Sequence, residues 1–315
     1  MSIDLVALTE PDQQAWQALT ASIHRLPLTQ SWAYAEALAS ARGWLPTYYR
    51  VEQDGAAIGG CLVQEKHSGL SKTIHIERGP FFIAQPSPEQ FGSVVRELAT
   101  LTKPRWFDRR RFYPEVAETS PEAALILDNG FRRLETGYQT IWLDLAVPLI
   151  QRRQAMRQNW RSALSKAERS KLEIAVDGDA SNLNWLAAHH ISAMRKQHYI
   201  GPSGPLLFKL AELSVPTGDF CLIRAKYLGK PVAGALFIRH GMAATYLIGW
   251  SGKVGRKYNA QHAILWQALE TLAGQGVTQL DLGGINPERA SGVTYFKRGM
   301  ITGADQEATG APICR

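Results

Sequence analysis

A repeated stretch of sequence is the feature that most constrains how this chain folds. Residues 50–62 align without a gap with residues 224–236, at a constant offset of 174, and an arginine, two glycines and a final leucine coincide. In both copies a turn that contains glycine separates two strand-like runs, which predicts a β-hairpin. Duplication of one structural unit is the simplest explanation, so the sequence predicts two similar domains in tandem.

The length of the chain agrees with a duplication. Its 315 residues allow two domains of about 150 residues, each large enough for its own hydrophobic core. A strand-like run at 140–144 is followed by Ala146-Val147-Pro148, and the proline interrupts that strand. The predicted domains are therefore 1–147 and 148–315.

The order of hydrophobic patterns predicts an α+β fold in both domains. In the first, it predicts helices near 11–23, 30–42 and 88–102, a hairpin at 46–64 and strands at 72–78 and 104–112. In the second, it predicts helices near 156–170, 181–198, 203–213 and 258–273, a hairpin at 219–240 and strands at 243–250, 277–282 and 293–299. Each domain is then a mixed, mostly antiparallel sheet flanked by helices.

Composition narrows the class of protein and its partners. Three cysteines without metal or disulfide spacing, and no signal peptide or membrane-spanning run, predict a cytoplasmic protein. His189 and His190 lack a third ligand at zinc spacing, so no metal site is expected. The pattern G-x-S-x-G of many serine hydrolases is missing from the sequence. The net charge of +7 favours an anionic partner such as tRNA, a nucleotide-sugar diphosphate or an acidic lipid surface.

The strongest candidate for a catalytic site lies near the C-terminus. A predicted strand ends in Asp281-Leu282-Gly283-Gly284, and a polar loop leads to a second predicted strand that carries Lys297 and Arg298. A cation held beside flexible backbone next to a sheet stabilises a developing oxyanion or a phosphate. Neighbouring residues of a strand point to opposite faces, so we expect Lys297 and Arg298 to diverge.

Several motifs carry a resemblance to a known family. They are DLGGINPE at 281–288, GVTYFKRG at 292–299, LTQSWAYAE at 28–36 with GWLP at 43–46, and the basic segment 159–170. Together they resemble the Fem family, aminoacyl-tRNA-dependent peptidyltransferases related to acyltransferases of the GNAT fold. The resemblance implies two tandem GNAT-like domains. It also implies aminoacyl transfer from tRNA to the peptide of a peptidoglycan precursor, either UDP-linked or lipid-linked.

The resemblance also implies roles for individual residues. Lys297 would be the catalytic cation or hold the tRNA acceptor end, with Phe296 packed beside it. The acceptor pocket would be lined by Trp32, Tyr34, Arg195, Tyr246 and Asn286. Arg195 lies in the last turn of a predicted helix, where a cation also offsets the helix dipole without any ligand, so both explanations stay open.

Two basic clusters are candidates for binding an anion. The first predicts tRNA binding along the helix near 156–170, through Arg153, Arg157 and Arg161, together with Arg298. A solubilising basic face is the alternative. The second cluster either binds an anion or forms ion pairs with nearby acidic residues, and both explanations stay open. It comprises Arg105, Arg109, Arg110, Arg111, Arg132 and Arg133.

The segment that follows the strand at 243–250 decides the expected donor. GNAT enzymes bind coenzyme A there through the pattern R-x-x-G-x-G/A, but Asn259 and Gln261 occupy the glycine positions after Arg256. The leading hypothesis therefore needs no cofactor, and acetyl-coenzyme A belongs only to the alternative of an acyl-coenzyme A-dependent N-acyltransferase. A third hypothesis is a non-catalytic protein that binds RNA or a cell-wall precursor. Peripheral membrane contact follows if the acceptor is lipid-linked, and we expect a monomer.

Overall fold

The computed structural model describes residues 3–8, 12–137, 139–288, 290–301, 305–308 and 312–314. The chain divides into two compact units, Met1–Thr140 with Glu307–Arg315, and Ile141–Gln306. Each contains a mixed sheet with helices, so the predicted α+β class is confirmed. Within the described residues, no helix combines the length and the apolar character needed to cross a bilayer.

The first unit is built on one sheet. Its helices are α1 Gln13–Thr20, α2 Trp32–Arg42, α3 Pro88–Leu101 and α4 Pro121–Asp128, with a short 3-10 helix at Leu28–Gln30. Its strands are β1 Ile3–Ala7, β2 Leu45–Gln53, β3 Ala56–Ser68, β4 Ser71–Glu77, β5 Phe81–Phe82, β6 Arg109–Tyr113 and β7 Arg133–Thr136. Apolar residues of α3 at helical spacing, Val94, Val95 and Leu98, pack with buried strand residues in the core.

The second unit contains the longer array of helices. These are α5 Leu149–Ala155, α6 Gln158–Glu168, α7 Leu183–Gln197, α8 Gly204–Ser214, α9 Lys253–Lys257, α10 Ala260–Gly274 and α11 Ser291–Arg298. The strands of the second sheet are β8 Thr140–Asp144, β9 Leu172–Asp177, β10 Phe220–Tyr227, β11 Lys230–His240, β12 Ala243–Ser251, β13 Gln279–Asp281 and β14 Gln306–Ala308. The sheet has the order β14-β8-β13-β12-β11-β10-β9.

Sheet pairing explains where the units divide. Strand β8 lies in the second sheet, where Trp142 pairs with Asp281, so the second unit begins at Ile141 rather than after Val147. A last strand, β15 Pro312–Cys314, lies in the first sheet, whose order is β1-β2-β3-β4-β6-β15-β7. Hydrophobic patterns identify strands, but the partner of a strand depends on contacts between distant residues.

The two predicted hairpins are present and share their details. Their turns have positive φ at both central residues, Asp54 and Gly55 in the first unit and Leu228 and Gly229 in the second. Two such residues match the right-handed twist of the flanking strands. A β-bulge also interrupts both hairpins at the same repeat position, between Val51 and Glu52 and between Ala225 and Lys226.

Each hairpin is followed by a parallel crossover. In the first unit, β4 leads through α3 to β6, and their pairing runs from Thr73 with Arg109 to Glu77 with Tyr113. In the second, β12 leads through α10 to β13, and the pairing runs from Ala243 with Gln279 to Thr245 with Asp281. Strand β12 continues to Ser251, six residues beyond this pairing.

The prediction of a strand at 293–299 is wrong, because this segment forms helix α11. Its two buried residues, Thr294 and Lys297, are three positions apart, which is helical spacing. The run Val-Thr-Tyr-Phe has a high strand propensity, but packing of one helical face overrides such local preferences. Lys297 and Arg298 are therefore separated by about 100° around a helix rather than pointing to opposite faces of a sheet.

Candidate functional site

Lys297 occupies a buried position in the second unit. Its side chain is enclosed by α11, the loop after β13 and strand β12, and the residue is 6% exposed. The ammonium group donates hydrogen bonds to the carbonyl oxygens of Gly283 (3.2 Å) and Gly284 (2.8 Å). It also lies 5.5 Å from the ring centre of Tyr246, a distance suited to cation–π attraction. Lys297, the predicted catalytic cation, thus lies beside the Gly-Gly turn.

The Gly-Gly turn depends on close backbone packing. Gly283 has a φ of 71°, and a Cβ atom there would lie 2.8 Å from the carbonyl oxygen of Tyr246. Its N–H donates to Oδ1 of Asp281 at 2.8 Å, which ties the turn to the end of β13. Only glycine combines this conformation with this approach. The turn therefore aims its carbonyl oxygens at the lysine.

Burial controls the protonation of the groups around this turn. It lowers the pKa of Lys297 to about 8, while the negative charge of Asp281 acts in the opposite direction. Burial also raises the pKa of the Tyr246 hydroxyl, which stays neutral near pH 7. A lysine with such a pKa is mostly protonated at neutral pH. It is able to stabilise negative charge and, above pH 8, to take up a proton.

Aromatic packing fixes the helix that carries the lysine. The ring of Phe296 lies 4.8 Å from the ring of His262 and 6.2 Å from that of Trp160, measured between centroids. Burial lowers the pKa of His262 to about 4, so its ring is neutral and packs as an aromatic group. The amide of Asn159 donates to the Tyr295 hydroxyl at 2.7 Å. Phe296 thus holds α11 in place beside the cation.

The predicted acceptor-pocket residues are divided between the units. The ring of Tyr246 lies beside the ammonium group of Lys297. The backbone N–H of Asn286 donates to the hydroxyl of Thr294 on α11 at 3.2 Å. Arg195 is exposed in the last turn of α7. Trp32 and Tyr34 belong to α2 of the first unit, where Trp32 stacks on Tyr48 at a centroid distance of 4.7 Å.

The predicted tRNA-binding arginines do not share one helical face. The helix expected at 156–170 begins at Gln158, and Arg153 lies on α5. Arg153 makes a two-point ion pair with Glu168, at 2.7 and 2.6 Å. Arg161 donates to the carbonyl of Gln154, and Arg298 is half-buried. Arg157 is exposed and lies 5.8 Å from the ring centre of Tyr295, which belongs to the helix that carries Lys297.

Polar side chains occupy the turn where GNAT enzymes would bind coenzyme A. Gln261 donates from Nε2 to the carbonyl oxygens of Trp250 (2.8 Å) and Gly234 (3.1 Å), so its amide bridges two strands. Asn259 has a positive φ, and its amide donates to the carbonyl of Ala163 at 3.3 Å. A pyrophosphate needs close approach to backbone N–H groups at a helix N-terminus. Both amides bond backbone carbonyls of neighbouring elements at this turn. Among the described residues, no cluster of His, Cys, Asp and Glu could hold a metal.

Two residues of the site were not predicted from the sequence. Asp281 is fully buried and orients Gly283, and Thr294 is buried and bonds the loop at Asn286. Asp281 opens the motif at 281–288, so its carboxylate was visible as a candidate. Thr294 could be identified only from the helix, because residues three positions apart share a face in a helix but not in a strand.

Comparisons with known proteins agree with this architecture. Residues 152–298 match the family described as "Acetyltransferase (GNAT) domain". The structure of FemX is similar over 100% of this chain and 97% of that chain, with a TM-score of 0.78 and 15% identity. No curated protein sequence matches.

Two further solved structures are similar at lower scores. The first is the C-terminal domain of a putative lysylphosphatidylglycerol synthetase from Agrobacterium fabrum, with a TM-score of 0.55, 13% identity, and 89% and 86% of the two chains covered. The second is a tandem GNAT protein from the clavulanic acid biosynthesis pathway, with a TM-score of 0.55, 12% identity, and 99% and 97% covered. The family match supports an acyltransferase, and the three solved structures show the fold. The chain therefore has a Fem-like fold of two tandem GNAT-type units, as its motifs implied.

Proposed function

We propose that this protein transfers an aminoacyl group from a charged tRNA to an amine on the peptide of a peptidoglycan precursor, in the cytoplasm. The observation that carries the proposal is the buried ammonium group of Lys297, held by two carbonyl oxygens in a Fem-like fold. Acyl transfer develops one negative charge, on the oxygen of the tetrahedral intermediate. A fixed cation in a site that excludes water is well suited to stabilise it.

To catalyse this reaction, the protein mainly has to align the amine with the ester and stabilise the oxyanion. The acceptor amine attacks the ester carbonyl of the donor, a C–N bond forms, and the carbonyl oxygen becomes an oxyanion. When the C–O bond to the ribose breaks, the ribose oxygen gains a proton and the amine nitrogen loses one. Lys297 would stabilise the oxyanion, and alignment of amine and ester would supply much of the remaining acceleration.

The side chains of Asn259 and Gln261 favour tRNA over coenzyme A as donor. They stand in place of the two glycines that would allow a pyrophosphate to approach the backbone closely, and their amides bond backbone carbonyls there. The exposed guanidinium of Arg157, beside α11, supports an approach of tRNA phosphates to this part of the second unit. The acceptor would be a UDP-linked or a lipid-linked muropeptide.

A transfer assay that compares two donors in separate reactions tests the proposal. The purified protein is incubated with a UDP-linked muropeptide and either a mixed pool of charged tRNA or acetyl-coenzyme A, and the muropeptide is weighed by mass spectrometry. We expect an added amino acid with tRNA and no added acetyl group with the thioester. Lys297→Ala is the control for background aminolysis. Acetylation that depends on coenzyme A would replace this proposal with the N-acyltransferase alternative. Tight tRNA or muropeptide binding without product in either reaction would favour a binding protein.

A further inference from the structure

One end of the first unit exposes large apolar side chains. Leu70 is 95% exposed, Trp106 93% and Phe107 65%. Single exposed apolar residues are normal, but a group of them marks an interaction surface. Leu70 lies in the turn between β3 and β4, and the two aromatic residues lie in the loop 103–108, which connects α3 to β6.

Hydrogen bonds hold the turn and the loop at the same end of the sheet. The carboxylate of Asp108 accepts from the backbone N–H groups of Lys72 (2.8 Å) and Arg105 (3.0 Å). Lys72 follows Leu70 by two residues, and Asp108 follows Trp106 by two. The carboxylate therefore connects the start of β4 to the loop. These contacts place Leu70, Trp106 and Phe107 at one tip, which we call the apolar tip.

A strongly basic cavity lies next to the apolar tip. Its volume is about 750 Å³, and Asp108, which bonds the backbone, is the one acidic side chain among the described residues that line it. The basic side chains in the lining are Arg96, Lys103, Arg109, Arg110, Arg111 and Arg132. Four of them, Arg96, Lys103, Arg109 and Arg132, are exposed to solvent.

Arg110 is the buried cation of this cavity. Its Nη1 donates to the carbonyl of Ala99 (3.2 Å) and the hydroxyl of Thr102 (3.5 Å), and its guanidinium lies 3.9 Å from the ring centre of Phe131. All three groups are neutral, and Nε has no hydrogen-bond partner within the part of the chain that the structure describes. A buried cation surrounded by neutral groups favours binding of an anion.

We propose that this end of the first unit docks on the surface of an anionic lipid bilayer. The apolar tip would insert among the headgroups, and the basic cavity would contact lipid phosphates. Tryptophan and phenylalanine beside lysine and arginine are typical of segments that lie in the membrane interface. Nucleic acid binding is less well matched, since it uses aromatic faces as stacking platforms, and an exposed leucine offers none. The surface belongs to the first unit and Lys297 to the second, so the proposal does not depend on whether the acceptor is lipid-linked or UDP-linked.

Co-sedimentation with vesicles tests the docking surface. The full chain is mixed with vesicles of phosphatidylcholine alone or of phosphatidylcholine with phosphatidylglycerol. We expect binding to the anionic vesicles, weakened by salt. Trp106→Ala with Phe107→Ala should reduce this binding roughly 100-fold, and Arg109→Gln with Arg132→Gln about 30-fold. The matched control is Leu228→Ala with Lys230→Gln, which changes an exposed leucine in the hairpin turn of the second unit and an exposed lysine at the start of β11 and should bind like wild type.

A fluorescence readout separates insertion from simple adsorption. Brominated acyl chains should quench part of the tryptophan fluorescence of the wild type, and Trp106→Phe should lose that quenching while still sedimenting with vesicles. Turnover of a water-soluble acceptor should be unchanged in every variant of the apolar tip, so the result is independent of the transfer reaction.

Three results would overturn the proposal. One is equal sedimentation of the wild type and the variants of the apolar tip and basic cavity. Another is tRNA binding that depends on Arg109 and Arg132 in a protein that ignores vesicles, which would assign the cavity to RNA. The third is concentration-dependent self-association that Trp106→Ala abolishes without any vesicle binding, which would make the tip a contact between copies of this chain.

Discussion

The two units share a hairpin and a crossover, but their parallel strand pairs differ in length. In the first unit, β4 and β6 pair along five residues, and β4 ends with that pairing at Glu77. In the second, β12 and β13 pair along three, and β12 continues to Ser251. The Gly283-Gly284 turn and Lys297 lie where these strands stop pairing. One duplicated scaffold thus builds a buried polar site in the copy whose parallel pairing stops early.

The charges of the crossover strands differ in the same way. Strand β6 begins with three arginines and lines an open basic cavity, whereas β13 ends in the buried carboxylate of Asp281. A buried acidic group beside a buried lysine holds the charged groups at fixed positions, as catalysis requires. Exposed cations suit contact with an extended anionic surface. The comparison predicts that catalytic effects follow substitutions in the second unit.

The largest effect is expected at Lys297. Removing an oxyanion-stabilising group typically costs about 10² to 10³ in kcat, so Lys297→Ala should lose about that factor, with little change in KM for the acceptor. Lys297→Arg should restore part of the rate, because it keeps the charge but changes its shape. Steady-state kinetics with the muropeptide give both values.

Lys66 in the first unit is the matched control for this experiment. Its Nζ also donates to a backbone carbonyl, that of Arg42 at 2.7 Å, but the residue is exposed. Lys66→Ala should keep near-wild-type turnover. A Lys297→Ala enzyme that turns over as fast as the Lys66→Ala enzyme would remove the contrast between the units.

The pH dependence of stability is the next largest effect. The pKa of Lys297 is about 8 in the folded protein and 10.5 unperturbed. Between these values the unfolded chain binds the extra proton, so the free energy of unfolding rises with pH. Relative to Lys297→Met, wild type should gain about 3 kcal/mol from pH 8 to pH 10.5. Urea denaturation across this range measures the difference, and a constant difference would mean an unperturbed lysine.

The Gly-Gly turn should tolerate substitution less well than the hairpin turns. Gly283→Ala places a Cβ atom 2.8 Å from a backbone oxygen, while at Gly55 and Gly229 a Cβ atom would meet nothing within 4 Å. All three glycines have positive φ. Alanine is strained by the positive φ at all three positions, and only at Gly283 does it also meet a close contact. Gly283→Ala should therefore lower the free energy of unfolding by about 1 to 3 kcal/mol more than the other two changes. Denaturant titration of the three variants provides the comparison.

The smallest effect concerns the arginines of the second unit. Arg157→Gln should lower the salt slope of tRNA binding by roughly one unit on a log-log plot, because one phosphate contact is lost. Arg153→Gln should leave the slope unchanged, since Arg153 is paired with Glu168. Arg109→Gln, in the first unit, should also leave it unchanged. Equal slopes for the wild type and the Arg157 variant would mean that the arginines of this basic surface keep the protein soluble and do not bind tRNA.

Much of the fold was predictable because local patterns and a repeat report it. The hairpins at 46–64 and 219–240 and the helices near 88–102 and 258–273 follow from hydrophobic periodicity and turn residues. Short strands escaped prediction, among them β1 and β9 at sheet edges and β15 between β6 and β7. A strand of only a few residues carries little periodicity of its own and is stabilised by its partner.

The sequence by itself determined that the chain is duplicated and that each half is α+β, and it predicted a candidate site of Lys297 with Gly283 and Gly284. Backbone freedom at glycine and the chemistry of a lone cation are local properties, so they can be read from residue types. Only the tertiary structure decided that 291–298 is a helix, that β8 joins the second sheet, and that the lysine is buried against Tyr246. These outcomes depend on which distant surfaces pack together, and the free energy of that packing outweighs local propensity.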